Sequence, residues 1–369
     1  MNTMKKYLII MIATLFSFTP GNAVTLTTWG GAWTEAQIPA YITGAEQELG
    51  LEVNLVDYSG GLAEIKAQVE SGNIQWDVID ALSNDTVVGC DEGLFLKVNI
   101  DEILPPAPDG TPASKEFSLP MPNKCAFPNV LYTWNYAYKD TMFPGDKPTT
   151  IQDFFDTKKF PGRRSIHRGA MTNLEMALVA DGVSTDKVYD VLGTKKGVKR
   201  ALKKIQKLCN DPKGGCVFWS AGAQAPEFVM SEEVVMGTGY NGRFFNAAVG
   251  EGAPITQVYD GMAFDYVFFV IVKESPRIDE AKKLLSYITS PQSGANMSKY
   301  LAYSPFRKSS MDIIEKNEPW YKDGKTNIMP HLPTNPANLT NYYALDLNFW
   351  ADNGTDLEEA WENMKIRIK

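Results

Sequence analysis

The stretch that opens VTLTTWGGAW (24–33) and passes through LEVNLVDYSGGLAEIKAQVESGNIQWDVID (51–80) decides the fold. Val24 to Trp29 is a β-forming run that ends at Gly30-Gly31, and a helical pattern follows from about Trp33 to Leu49. Leu51 to Asp57 is apolar at alternate positions, as a half-buried strand is. Leu62, Ile65 and Val69 recur at helical spacing, and Gly72 ends that helix. Trp76 to Leu82 reads as a third strand, after which Ser83 or Asn84 can cap a helix running to Cys90. Strand and helix alternating at this pace predict an α/β fold, a parallel sheet covered by helices.

Outward from that stretch the alternation continues. Residues 101–130 are Pro-rich and read as loop, Val130 to Tyr138 as a strand, and 144–161 as loop. GRRSIHR (162–168) is a strand candidate, Asn173 to Ala180 a helix, and Thr185 to Cys209 one long helix with a basic outer face. Further strands are expected at Val217–Trp219, Val234–Thr238, Ile255–Tyr259 and Asp265–Val272. Ile278 to Ile288 is amphipathic, with Ala281, Leu284, Leu285 and Ile288 facing inward, and a last helix spans Leu357 to Ile368. No fixed-period repeat and no flexible linker separates the two αβ sets. They are therefore expected to be lobes joined by crossing strands, with a cleft between them.

A chain of 369 residues implies two or three domains, and 44% apolar with 22% charged residues fits an ordinary water-soluble protein. Lys plus Arg total 36 against 44 Asp plus Glu, a net charge of -8, which argues against general affinity for nucleic acid or anionic membrane. His167 and His331 are the only histidines, too few for a His-based metal centre or for most triad chemistry. Lys5-Lys6, the apolar run Leu8–Phe18 and the small residues Gly21 and Ala23 make residues 1–23 an expected export leader, cleaved before Val24. Cys90, Cys125, Cys209 and Cys216 then enter an oxidising compartment and read as two disulfides. Spacing favours Cys209 with Cys216 and Cys90 with Cys125, although four cysteines allow three connectivities. A four-thiolate zinc site is disfavoured because no CxxC pair occurs.

Enzyme motifs are missing. No GxSxG elbow, P-loop, HExxH or dinucleotide fingerprint is present, and Gly237-Thr238-Gly239 is a turn. The positive signals lie at expected strand ends, where open α/β sheets bind ligands. Trp29, Gly30 and Trp33 combine a glycine turn with two rings able to stack on a ligand or face a cation, or alternatively to sit in the core. Asp80 and Asn84 offer a carboxylate and an amide suited to an amine, or a structural acid beside a cap. Tyr240, Asn241 and Arg243 can form an opposite wall, with Arg243 holding a carboxylate or a neighbouring acid. Arg168 and Trp219 end strands as well, and Asp265 and Tyr303 flank the expected crossings.

The phrases VTLTTWGGAW, the 51–80 stretch, CDEGLF (90–95), TTIQDFFDTKKFPGRR (149–164), LEMALVADGV (174–183), VMGTGYNGR (235–243) and YLAYSP (300–305) stand in an order that resembles a known family. They are similar to the periplasmic substrate-binding proteins of ABC importers, in the spermidine/putrescine-binding branch. The resemblance implies two α/β lobes closing on one ligand, of the type II-like arrangement. Lobe one would hold 24–132 and 265–303, and lobe two 133–264 and 304–369. It further implies a non-enzymatic, monomeric periplasmic receptor, without cofactor or metal, that hands a small solute to a membrane permease. In the polyamine branch aromatic faces hold the methylene chain and carboxylates hold the terminal amines. Trp29, Trp33, Trp219 and Tyr240 would supply the rings here, and Asp80 and Asp265 the charge. The chain departs from that pattern at Arg168-Gly169-Ala170-Met171-Thr172, and at Val267 and Phe269, where the branch offers acids and a Trp. The expected ligand is thus a polyamine, with an amino-acid-like compound or an organic acid as the alternative. A secreted carbohydrate-active hydrolase or lyase is the reading from another class.

Overall fold

The computed structural model describes residues 23–368, so the expected leader lies outside the described residues except for Ala23, which opens the first strand. In chain order the strands are β1 (Ala23–Thr28), β2 (Glu52–Asp57), β3 (Val78–Leu82), β4 (Phe127–Lys139), β5 (Arg164–His167), β6 (Cys216–Trp219), β7 (Met236–Tyr240), β8 (Ile255–Ile271), β9 (Ser304–Pro305) and β10 (Tyr342–Ala344). The sheet order is β2-β1-β3-β8-β4-β7-β5-β6, with β10 added to β8 and β9 to β4. β1 runs parallel to β2 and β3, and β5 runs parallel to β6 and β7. Between these two parallel sets lie the antiparallel β4 and β8. β8 pairs with the far end of β4 through Ile255–Val258, then reaches β3 through Val267–Ile271. Two long strands thus cross from one parallel set to the other, the arrangement of a two-lobed binding-protein fold with the cleft over the crossing. β4 is buried almost throughout and β8 is buried along most of its length from Gly261 onward, whereas the edge strand β2 keeps the alternation visible in its sequence.

Several local expectations are corrected. The first helix starts at Gly31 rather than Trp33 and carries a π-helical segment, Ile38–Ile42, before Thr43–Leu49. Neither Ser83 nor Asn84 caps the helix Ser83–Asp91; Leu82 holds the N-cap position, and the Ser83 hydroxyl donates to Asp265 instead. A short helix, Ile151–Phe155, capped reciprocally by Thr150 and Asp153, lies inside the expected loop 144–161. The expected helix Thr185–Cys209 is broken at Gly193: Val188–Leu192 ends there, and Lys195–Cys209 begins afresh with Thr194 accepting from the Gly197 amide. Ile255–Tyr259 and Asp265–Val272 are one strand. Gly261, at φ +71, turns the backbone locally where any Cβ would strike Ile151, and β8 continues through it. The last helix is longer than expected, Leu347–Lys365. The helices Asn173–Ala180 and Ile278–Ile288 fall where the apolar spacing placed them, and the four inward residues of the second are buried.

Both disulfides form with the favoured pairing. Cys90–Cys125 ties the helix after β3 to the segment entering β4, and Cys209–Cys216 closes the loop between the basic helix and β6.

Candidate ligand-binding site

Above the crossing strands lies a cavity of about 320 Å³, lined from both parallel sets. Trp29 and Trp33 enter it from the turn after β1. Gly30 and Gly31 make that turn possible, with φ of +67 and +53. Asp57 and Arg243 approach these glycines so closely that a Cβ would stand 2.8 Å from the Asp57 carboxylate at Gly30, and 3.1 Å from the Arg243 guanidinium at Gly31. Trp29 packs on Tyr58 at 4.7 Å between centroids, and Trp33 meets Tyr303 edge-on at 5.1 Å. From β4 come Tyr132 and Trp134, both in contact with Tyr240 at the end of β7, at 5.5 and 4.5 Å. The interior is therefore a box of rings whose mutual edge-on contacts fix their orientation.

Three charged side chains line this box. Arg243 donates through Nη2 to the carbonyl oxygens of Gly30, at 3.0 Å, and Trp29, at 3.4 Å. It makes no ion pair among the described residues, so its guanidinium has no carboxylate in direct contact inside the cavity. Asp85 accepts from the Gly61 amide at 2.9 Å, and burial pushes its carboxyl above the usual range. Glu358, from the helix Leu347–Lys365, accepts from the Ala170 amide at 2.9 Å and is likewise raised by burial. Neither acid has a cationic partner among the described ion pairs. His167 also lines the cavity; burial, reinforced by Arg168 and Lys365, lowers it to about 4, so its ring is neutral at pH 7. Its Nδ1 accepts from the Gly169 amide, which leaves the proton on Nε2.

Of the residues singled out in the sequence, Trp29, Trp33, Asn84, Tyr240, Arg243 and Tyr303 line the cavity together. The others stand elsewhere. Asp80 is fully buried beneath Trp33, where it accepts from Trp33 Nε1 at 2.7 Å, Gln37 Nε2 at 3.0 Å and Asn129 Nδ2 at 2.9 Å. Burial raises its carboxyl to about 7 despite these donors. Asp265 sits under the rings of β4, accepting from Tyr132, from Ser83 at 2.7 Å and from Trp134 Nε1 at 3.3 Å. Both acids orient the aromatic walls, and neither lines the cavity. Trp219 forms the layer behind Trp134, stacked at 5.6 Å. Asn241 joins β4 to the Ala302 carbonyl through its two amide ends, and Gly30 contributes only its carbonyl, to Arg243. Arg168 is exposed, outside the lining; its amide donates to the Trp219 carbonyl and its own carbonyl accepts from Trp361 and Lys365. Sequence reasoning passed over Asp85, although it directly follows the singled-out Asn84. It also missed Tyr132 and Trp134 on β4 and the distant Glu358, for which no local pattern exists.

A cavity of rings with three unpaired charges, and no cluster of His, Cys, Asp or Glu among the described residues able to hold a metal, is equipped to hold a small charged molecule. Comparison with known proteins agrees. The model of the bacterial extracellular solute-binding proteins matches residues 40–328. A γ-aminobutyric acid-binding protein of Pseudomonas aeruginosa is 34% identical over 342 residues, covering 92% of this chain and 90% of that one. Among solved structures, the periplasmic binding protein MotA of A. tumefaciens in complex with glucopine matches with a TM-score of 0.81 and 27% identity, over 93% of this chain and 99% of that one. An ABC transporter substrate-binding protein from Bradyrhizobium japonicum matches with a TM-score of 0.79 and 28% identity, over the same shares. The chain belongs to the bacterial extracellular solute-binding proteins, and is a small-solute receptor of an ABC importer rather than an enzyme.

Proposed function

We propose that this receptor captures an amino-acid-like solute bearing both a carboxylate and an ammonium group, with γ-aminobutyrate as the first candidate. The guanidinium of Arg243, in contact with no carboxylate yet in the same cavity as Asp85 and Glu358, carries this reading. A carboxylate meets Arg243 as a charge-assisted pair, an ammonium meets one of the two acids, and the intervening carbons lie among the rings. The ligand named for the P. aeruginosa relative has this charge pattern. A polyamine would use the acids and rings but would leave Arg243 unpaired and repelling, so the polyamine reading takes second place.

The mature protein works in the periplasm as a monomer after loss of its leader, with lobes near 24–132 plus 265–303 and 133–264 plus 304–369. Tyr132 and Asp265, at two of these boundaries, face each other in register on β4 and β8. Ligand contacts from both sides favour the closed form, since equal affinity for open and closed forms would shift nothing. Calorimetric titration with γ-aminobutyrate, glucopine, α-amino acids, putrescine and spermidine tests the assignment. One-to-one binding of a zwitterion is expected; tighter binding of putrescine than of any zwitterion would reverse the order of the two readings.

A further inference from the structure

The helix Lys195–Cys209 carries Lys195, Lys196, Lys199, Arg200, Lys203, Lys204 and Lys207 and no acid, on a chain whose net charge is -8. Arg200 and Lys204 are occupied by Asp181, at 2.6 and 3.3 Å. Lys195, Lys199, Lys203 and Lys207 are all exposed and make no ion pair among the described residues. Their spacing of four puts them in one row along the helix, about 18 Å from first to last at 1.5 Å per residue. Folding does not account for this row. Like charges at that spacing destabilise a helix, and Lys195 and Lys196 oppose the dipole at its N-terminus. The opposite face satisfies the core through Ala201, Ile205 and Leu208.

We infer that this lysine row is an adsorption surface for an anionic lipid bilayer, holding the receptor close to the membrane in which its permease resides. The composition decides between partners. Protein interfaces are depleted of Lys and enriched in aromatic residues, Met and Arg, whereas polybasic patches for anionic lipid are rows of mobile point charges. This face has Lys alone; its one Arg is tied to Asp181, and none of the exposed large apolar side chains lies on the helix. The overall negative charge does not cancel the attraction. At physiological salt the screening length is about 8 Å, so a bilayer against the row responds to the row and to the three acids beside it, Asp156, Asp181 and Asp211, rather than to acids on the far side. Adsorption is thus local, oriented and sensitive to salt.

The test is sedimentation of the full mature protein with vesicles of phosphatidylethanolamine and phosphatidylglycerol at roughly 3:1, against vesicles of phosphatidylcholine alone. Binding is expected to the anionic vesicles only, and to fall at least tenfold in about 0.5 M salt. K199E/K203E/K207E should lose it at least tenfold, while K282E/K283E, lysines on another helix, should retain it. Because the substituted residues are exposed, ligand-induced thermal stabilisation reports that the fold is intact. Equal sedimentation with both vesicle types, or full retention by K199E/K203E/K207E, would overturn the inference. So would an absence of vesicle binding with loss of permease cross-linking in that variant, which would assign the row to a protein partner.

Discussion

Arg243 Nη2 donates to the carbonyl of Gly30 at 3.0 Å, so a guanidinium carried by the helix after β7 is pinned to the glycine turn after β1. Two distant strand ends are joined by a side chain that still has N–H groups to offer a ligand. On the proposed function, the residue that bridges the two strand ends is also the one that meets the ligand's carboxylate.

Arg243→Gln should weaken γ-aminobutyrate by about 1.5–3 kcal/mol, the range for a hydrogen bond to a charged group. Arg243→Lys should fall between, because an ammonium keeps the charge but loses the fork. Calorimetric affinities check both, and an unchanged affinity in the Gln variant would remove Arg243 from the ligand.

The double variant Asp85→Asn with Glu358→Gln should lose at least about tenfold, 1.4 kcal/mol, for γ-aminobutyrate. Affinity for butyrate, which has no amine, should hardly change. Equal losses for the two compounds would mean that the acids shape the cavity instead of pairing with the ammonium.

Burial holds the carboxyls of Asp85 and Glu358 above their usual range. As pH falls through those raised values the acids take up protons and stop attracting an ammonium, so affinity should drop on acidification. Binding of the amine should conversely release protons. Titrations in two buffers of different ionisation enthalpy measure that release, and proton uptake would contradict the pairing.

Stability should follow the opposite trend through two other acids. Asp80 and Glu175 are each raised by burial to about 7 in the folded protein, above their unfolded values. Their contribution is fully present below the unfolded values and is lost as pH rises through about 7. Melting temperature should therefore be higher at pH 6 than at pH 8, and Asp80→Asn should flatten that difference. A pH-independent melting temperature would count against charged burial at these sites.

The two disulfides should differ in worth. Loop-closure entropy gives about 4 kcal/mol for the 35-residue separation of Cys90–Cys125 and about 2 kcal/mol for the separation of 7 in Cys209–Cys216. Chemical denaturation of the two double Ser variants should rank them in that order.

What the sequence determined by itself was whatever local periodicity encodes. The strand–helix alternation of 24–82, the helices Asn173–Ala180 and Ile278–Ile288 and the glycine turn follow from spacing within a few residues, and the short loop between Cys209 and Cys216 favours their pairing, while the sequence leaves three connectivities open for the four cysteines. The long β8 was less legible, because Asp260-Gly261 reads locally as a stop and only pairing with β4 and β10 carries the strand through. The direction of each acid was not legible at all. Asp80 and Asp265 read locally as ligand-binding carboxylates, yet the helix after β1 lays Trp33 over the first and β4 lays Tyr132 and Trp134 over the second, and both acids are spent orienting indoles and a phenol. Asp85 and Glu358 come from remote parts of the chain and share one cavity only after the helix Leu347–Lys365 has packed against the helix Ser83–Asp91. Periodicity records which side of an element is buried; which buried charge meets solvent-filled space depends on what the rest of the chain places on top of it.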